Sequence, residues 1–221
     1  LPEEKERPGG MTYVKICGMT RREDVERAVE LGVSALGFIL VPGSPRRLSL
    51  ETAAELASAV PPPVFRVAVM MDPGPGELLE VERCGAFDTI QFHGSEDPSL
   101  LSGGSLGTIK AFSVETGKDL EKTGRYCHAG LFLLDSRKKN LAAGKPFDHS
   151  LLAGKILARP FLLAGGLGPE NLAPALSTVR PFGVDLNSGV ESAPGVKDRD
   201  RMAAALAAVK QFDRSERRDH Q

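Results

Sequence analysis

"PFLLAGGLGPENLAPALSTV", residues 160–179, decides how the rest of the chain is read. Phe161, Leu162 and Leu163 form a short apolar run, bounded by proline and glycine, of the kind a strand buried on both faces requires. Gly165 and Gly166 mark a turn. Pro169 then opens a helix on which Leu172, Ala175, Leu176 and Val179 share one face. Pro174 inside that helix lacks an amide hydrogen, so a lost hydrogen bond and a kink are expected there. Strand, glycine turn and amphipathic helix make one βα unit.

The unit recurs along the chain. Strand candidates are "TYVKIC" (residues 12–17), "ALGFIL" (35–40), "VFRVAVM" (64–70), "DTIQF" (88–92), "TIKAFSV" (108–114), "AGLFLLD" (129–135), the run at 160–166 and "FGVDLNS" (182–188). Thr20 and Glu23 read as a capping box that starts the first helix; Val25, Ala28 and Val29 give it an apolar face and Gly32 stops it. Ser49 caps a second helix running to Ala59, and Glu77 to Arg83 is a third. The helices after strands four to six are short or weak: one near Pro98 to Leu101, a poor one after strand five, and a segment through Leu152 that follows the connection to Pro146. The last helix, Asp198 to Phe212, buries Met202, Ala205, Leu206 and Val209. Alternating strands and helices mean parallel βα units, which an open doubly wound sheet would also satisfy. Eight units in about 200 residues favour a closed (β/α)8 TIM barrel, a single domain spanning 12–212. Residues 1–11 are expected to be a flexible N-terminal extension and 213–221 a polar C-terminal tail.

Composition narrows the chemistry. Lysine plus arginine (28) and aspartate plus glutamate (29) nearly cancel to a formal charge of −1, so there is no basic footprint for nucleic acid. No apolar run approaches the roughly 20 residues of a membrane span, and the charged N-terminus has no signal-peptide core. Cys17, Cys84 and Cys127 are odd in number and widely spaced, which argues against a disulfide framework and for a reducing cytoplasm. No HExxH, paired-cysteine or G-x-G-x-x-G motif is present, and no metal is expected.

In a barrel of this type the active site lies at the C-terminal ends of the strands. That rule selects Cys17 on strand one, Arg46 in the loop after strand two, His93 after strand four, Asp135 on strand six, Gly165 and Gly166 after strand seven, and Asp185, Ser188 and Gly189 on and after strand eight. "AGGLGPEN" and "NSGVE" are small-residue turns on adjacent strands, where backbone amides can approach an anion closely, which points to a phosphorylated small molecule. Tight turns alone would also explain the glycines. Cys17 reads either as core packing or as a reactive thiol, Asp135 as a surface carboxylate or an acid, His93 as a core histidine or a catalyst, and Arg46 as a solvated side chain or a ligand contact. From residues alone, the reading is a cofactor-free barrel that moves protons on a phosphorylated substrate.

The stretches "VKICGMT", "ALGFIL", "PGSPRRLS", "FRVAV", "IQFHGSE", "LLDS", "FDHS", "LLAGGLGPENL" and "VDLNSGVESAPGVKD", in this order and spacing, resemble the phosphoribosylanthranilate isomerase family from about Tyr13 to Phe212. The resemblance implies a (β/α)8 barrel without a cofactor. It implies the Amadori rearrangement of N-(5-phosphoribosyl)anthranilate to a carboxyphenylamino-deoxyribulose phosphate in tryptophan biosynthesis. Cys17 would be general base and Asp135 general acid; Arg46 would meet the anthranilate carboxylate, with His93 and Asp185 also at the substrate. Gly165, Gly166, Ser188 and Gly189 would hold the phosphate. The protein would act in the cytoplasm as a monomer or homodimer, without nucleic-acid or membrane partners. The chain departs from the family where Leu141 and Ala142 replace two glycines of the loop after Asp135 and His149 replaces a tryptophan.

Two other functions fit parts of the pattern. A bifunctional sugar-phosphate isomerase of the histidine and tryptophan pathways would carry Asp where this chain has Cys17. A non-catalytic phosphate-binding barrel would keep the glycine turns without needing Cys17 and Asp135 at the strand ends.

Overall fold

The computed structural model describes residues 11–135, 152 and 157–219. The N-terminal extension through Gly10 and the loop carrying Leu141, Ala142, Gly144 and His149 lie outside them. Eight parallel strands close on themselves in chain order: β1 (Tyr13–Cys17), β2 (Ala35–Ile39), β3 (Phe65–Met70), β4 (Thr89–Phe92), β5 (Gly107–Ser113), β6 (Leu131–Asp135), β7 (Phe161–Ala164) and β8 (Gly183–Leu186). β8 pairs with β1, with Lys15 opposite Asp185. Helices α1 (Arg22–Leu31), α2 (Leu50–Ser58), α3 (Pro75–Arg83), α4 (Leu172–Val179) and α5 (Arg199–Asp219) lie between and after the strands. The connections after β4 and β5 are 3-10 turns at Pro98–Leu101 and Gly117–Tyr126, where the sequence reads as weak helix.

The strands are apolar on both faces because both faces are covered. Val14, Ile16, Leu36, Phe38, Phe132, Leu134 and Leu163 pack outward against the helices. Tyr13, Ala35, Val67, Ile109, Leu131, Leu133 and Leu162 fill the barrel interior, which is therefore a packed core.

Local chemistry departs from the sequence reading in four places. Thr20 does not cap α1. The cap position is Arg21, with no side-chain cap bond, and the Thr20 hydroxyl donates instead to the carbonyl of Gly195. Pro174 is the third residue of α4, inside the first turn, where amides have no intrahelical acceptor, so the proline removes no helical hydrogen bond. The final helix runs on to Asp219, past the Phe212 limit and through most of the polar segment. Its Asp213 is buried and accepts from the Thr12 amide (3.0 Å) and hydroxyl (2.6 Å), tying the last helix to the start of β1. A two-stranded hairpin, β9 (Glu191–Ala193) with β10 (Val196–Lys197), follows β8.

Candidate active site

One cavity of about 250 Å³ opens at the C-terminal ends of the strands. Cys17, Arg46, His93, Asp135, Gly165, Gly166, Asp185 and Ser188 all line it. Gly189, expected with them, is not among its lining residues. It packs behind Ser188 so closely that an added Cβ would lie 2.0 Å from the Leu167 carbonyl oxygen, and its own carbonyl accepts from Arg201 Nε at 2.9 Å.

The topology explains the convergence. Cys17 and Asp135 are the last residues of β1 and β6, and Asp185 sits in β8; all three point inward by the two-residue period of their strands. Arg46 is held by the loop after β2, where Leu48 donates to Ile39 and Arg47 bridges back to Ile39. His93 leaves β4 with its amide on the Met70 carbonyl (2.9 Å), and its Nδ1 lies 3.1 Å from Gln91 Nε2. Gly165 and Gly166 take consecutive positive φ values of 110° and 70°, a turn that side chains with a Cβ resist. Asn171 clamps this turn, accepting from the Gly168 amide (2.8 Å) and donating to the Gly166 carbonyl (3.1 Å).

The electrostatics centre on Cys17. Its thiol is buried, and burial pushes its pKa up; Lys15 and Lys197 oppose that rise, while Asp185 adds to it. Lys15 is fully buried, with Nζ 2.8 Å from Asp185 Oδ1. Burial alone would lower its pKa, but Asp185 and Cys17 outweigh this and the ammonium is held above the ordinary lysine value. Lys197 reaches in from the hairpin to the Asn187 side chain (3.1 Å) and to Glu191 (2.8 Å), and burial depresses its pKa despite that carboxylate. Glu191 also takes Arg46 Nε at 2.8 Å, with Nη2 on its second oxygen. Burial would raise the Glu191 carboxyl, yet Arg46 and Lys197 hold it below its usual range.

Glu191 and Lys197 carry no role in the sequence reading. Their only sequence signal is two charges in an otherwise small-residue loop, "ESAPGVK". Gln91 is a further polar group at this site: it is buried, lines the cavity, and its Oε1 has no hydrogen-bond partner among the described residues. Among the described residues, no cluster of His, Cys, Asp and Glu could hold a metal ion, and no helix is long and apolar enough to cross a membrane.

Fold and site together define a single-domain (β/α)8 barrel that gathers a thiol, carboxylates and an arginine around a cavity of small-molecule size. Comparison with known proteins narrows this class. The family model described as N-(5'-phosphoribosyl)anthranilate (PRA) isomerase matches residues 14–208, and the chain belongs to this family. It is 42% identical over 191 residues to the N-(5'-phosphoribosyl)anthranilate isomerase of Petrotoga mobilis, covering 85% of this chain and 92% of that one. It is 42% identical over 205 residues to that of Halorhodospira halophila, covering 91% and 98%. The structure is similar to the crystal structure of phosphoribosyl anthranilate isomerase from Thermotoga maritima, with a TM-score of 0.85 and 38% identity over 91% of this chain and all of that one. A second crystal structure of such an enzyme, in complex with reduced 1-(o-carboxyphenylamino)-1-deoxyribulose 5-phosphate, matches with a TM-score of 0.78 and 35% identity over the same shares.

Proposed function

We propose that the chain isomerises N-(5-phosphoribosyl)anthranilate to 1-(2-carboxyphenylamino)-1-deoxyribulose 5-phosphate, with Cys17 as general base and Asp135 as general acid. The observation that carries this reading is one cavity lined by the thiol of β1, the carboxyl of β6, the Gly165–Gly166 turn, Ser188 and Arg46. The same reading takes the substrate's chemistry to tryptophan biosynthesis in the cytoplasm, and the protein to a monomer or homodimer.

The steps balance with these groups alone. Asp135 gives its proton to the furanose oxygen as the C1′–O bond breaks, leaving an open-chain Schiff base and a carboxylate. The Cys17 thiolate removes the C2′ proton, and the released electron pair neutralises the imine nitrogen to form an enolamine. The protonated Cys17 thiol then returns a proton to C1′ as the Asp135 carboxylate takes the 2′-hydroxyl proton, which gives the ketone and restores both groups. A free thiol is only a few per cent thiolate at neutral pH, which costs about 2 kcal/mol. A free aspartic acid is protonated about one part in a thousand, costing about 4 kcal/mol.

Arg46 meets the anthranilate carboxylate, its guanidinium oriented from one edge by Glu191. Arg46 and Lys197 set two cations against the single Glu191 carboxylate, a surplus that favours an anionic substrate. His93 and Asp185 also face the substrate. Gly165, Gly166, Ser188 and Gly189 supply the phosphate turn, Gly189 from behind the cavity wall.

The test is fluorescence-monitored consumption of N-(5-phosphoribosyl)anthranilate by purified protein. Cys17→Ser and Asp135→Asn are each expected to lower turnover at least about 100-fold. Near-wild-type turnover in either variant removes that residue from its role. A folded but inactive wild-type protein points instead to a non-catalytic phosphate-binding barrel.

A further inference from the structure

We infer that Lys15 is a positioning residue for this reaction: its buried ammonium, shared between Asp185 and Cys17, is what lets the Cys17 sulfur carry negative charge. The inference rests on Cys17 being the base, and it concerns a residue that does not line the cavity and so does not meet substrate.

Three features of the structure converge on it. Lys15 precedes Cys17 by two residues on β1, so both side chains leave the strand on the same inward face. There Lys15 lies one layer deeper than the thiol, completely buried, with its ammonium hydrogen-bonded to Asp185 and near enough to the Cys17 sulfur to act on it electrostatically. Second, the neighbouring strand is cut away to make room. Cys17 is in register with Gly37 on β2, and a Cβ on Gly37 would lie 2.8 Å from Cys17 Sγ and 3.2 Å from Lys15 Nζ. The thiol and the ammonium thus share the space that a side chain at residue 37 would take. Third, an ion pair in the middle of an aliphatic barrel is a poor device for stability, because apolar residues of similar size do as well or better. The surrounding interior is built from Val67, Ile109, Leu131, Leu133 and Leu162, so an apolar pair would pack there.

The charges facing the sulfur are Lys15 from β1, Asp185 from β8 and Lys197 from the hairpin; Glu191 pairs with Lys197 and Arg46, and Arg46, His93 and Asp135 line other walls of the cavity. Of the two cations, Lys15 acts on the sulfur the more strongly. Asp185 keeps it charged, and it in turn shields the sulfur from Asp185. Lys197 is tied to Glu191 and Asn187, and burial weakens its hold on a proton, so it supports the sulfur less.

The experiment reads the thiol directly. In a Cys84→Ser/Cys127→Ser background, which leaves Cys17 as the only thiol, the rate of alkylation by iodoacetamide is followed against pH, with Lys15 or with Lys15→Met. Removing an opposite charge at this range is expected to move the midpoint up by about 1–3 pH units and to lower kcat with KM changed only a few-fold. Lys15→Arg, if folded, should restore part of the shift. Lys15→Gln, whose amide can still donate to Asp185 but carries no charge, should move the midpoint up as well; this test remains if Lys15→Met fails to fold. A folded Lys15→Met or Lys15→Gln protein whose midpoint equals that of its parent overturns the inference. Because alkylation is measured without turnover, this outcome is separate from the fate of the base assignment, which Cys17→Ser decides.

Discussion

Gly37→Ala is the smallest change that should disable the site, and the structure sets its size. Gly37 is the β2 partner of Cys17, and an alanine Cβ would sit 2.8 Å from Cys17 Sγ, 3.2 Å from Cys17 Cα and 3.2 Å from Lys15 Nζ. Unstrained carbon contacts rest at about 3.5–4.0 Å. The backbone at Gly37 is ordinary strand, so alanine brings no dihedral strain and would, with space, stabilise by about 0.4–1 kcal/mol through the unfolded state. The overlap reverses that sign. One of the three contacts is backbone, Lys15 Nζ is tethered to Asp185, and the thiol is short and buried, so relief requires turning Sγ to another rotamer. Overpacking of this kind costs about 1–3 kcal/mol, leaving a net loss of about 1–2 kcal/mol. For a domain of this size that is a fall of about 2–8 °C in Tm. Turning Sγ moves the base by more than an ångström, a misplacement worth about 100-fold in kcat. KM should change little, because Arg46 and the glycine turns are untouched. Calorimetry and steady-state kinetics on the same preparation check both numbers. A Gly37→Ala enzyme with wild-type Tm and kcat would show that the sulfur does not occupy the place argued for it.

Two further outcomes follow from the charged groups around the barrel mouth. Glu191→Ala removes the carboxylate that orients Arg46 and holds Lys197; losing a charged hydrogen-bond partner worth about 1.5–3 kcal/mol should raise KM by roughly 10-fold or more, measured by steady-state kinetics. Glu96→Gln breaks the buried pair with Lys110 (2.8 Å) and should destabilise the fold by about 3–5 kcal/mol near neutral pH, measured by urea unfolding. Burial would raise the Glu96 carboxyl, but Lys110 and the Asp72 amide hold it below the usual range. Its stabilising effect is therefore complete above the unfolded value of about 4.3 and is lost as pH falls through the lower folded value. The gap between wild type and variant should accordingly close in acid; a gap independent of pH would refute the assignment.

The barrel was legible because its main signal is local. A strand covered on both faces must be apolar throughout, and each of the eight runs is apolar in the sequence and forms a strand in the structure. Boundaries drift by one or two residues where ladder pairing, and not apolarity, ends the strand. Gly165 and Gly166 extend the run "PFLLAGG" but leave β7 through positive φ. The capping box at Thr20 failed for a long-range reason: its hydroxyl is taken by Gly195, 175 residues away. Extension of the last helix through Asp213 likewise depends on Thr12, 201 residues distant. Neither partner is visible in the local pattern on which caps and helix ends are read.

The site divides along the same line. Cys17, Asp135 and Asp185 line the cavity where the strand-end rule expects them, because that rule needs only the strand. Glu191 and Lys197 were missed because a hairpin brings them against Arg46 and Asn187 of the cavity wall and nothing in "ESAPGVK" says where it folds. Lys15 is the instructive case. Alternation on β1 puts it on the face of Cys17, but whether a buried lysine can exist there depends on the strand beside it. That strand is the last of the eight, and the register Lys15 opposite Asp185 is set across the seam where the barrel closes. Side chains alternate with a period of two, so a one-residue slip of β8 would turn Asp185 out under the helices and leave Lys15 facing Val184 or Leu186. A buried ammonium without its carboxylate is heavily penalised, so closure in the wrong register is disfavoured by the same pair that faces the thiol. The ion pair that costs the barrel interior an apolar contact thus has two uses at one place. It marks the register in which the ring shuts, and it leaves a fixed positive charge beside the sulfur once it has.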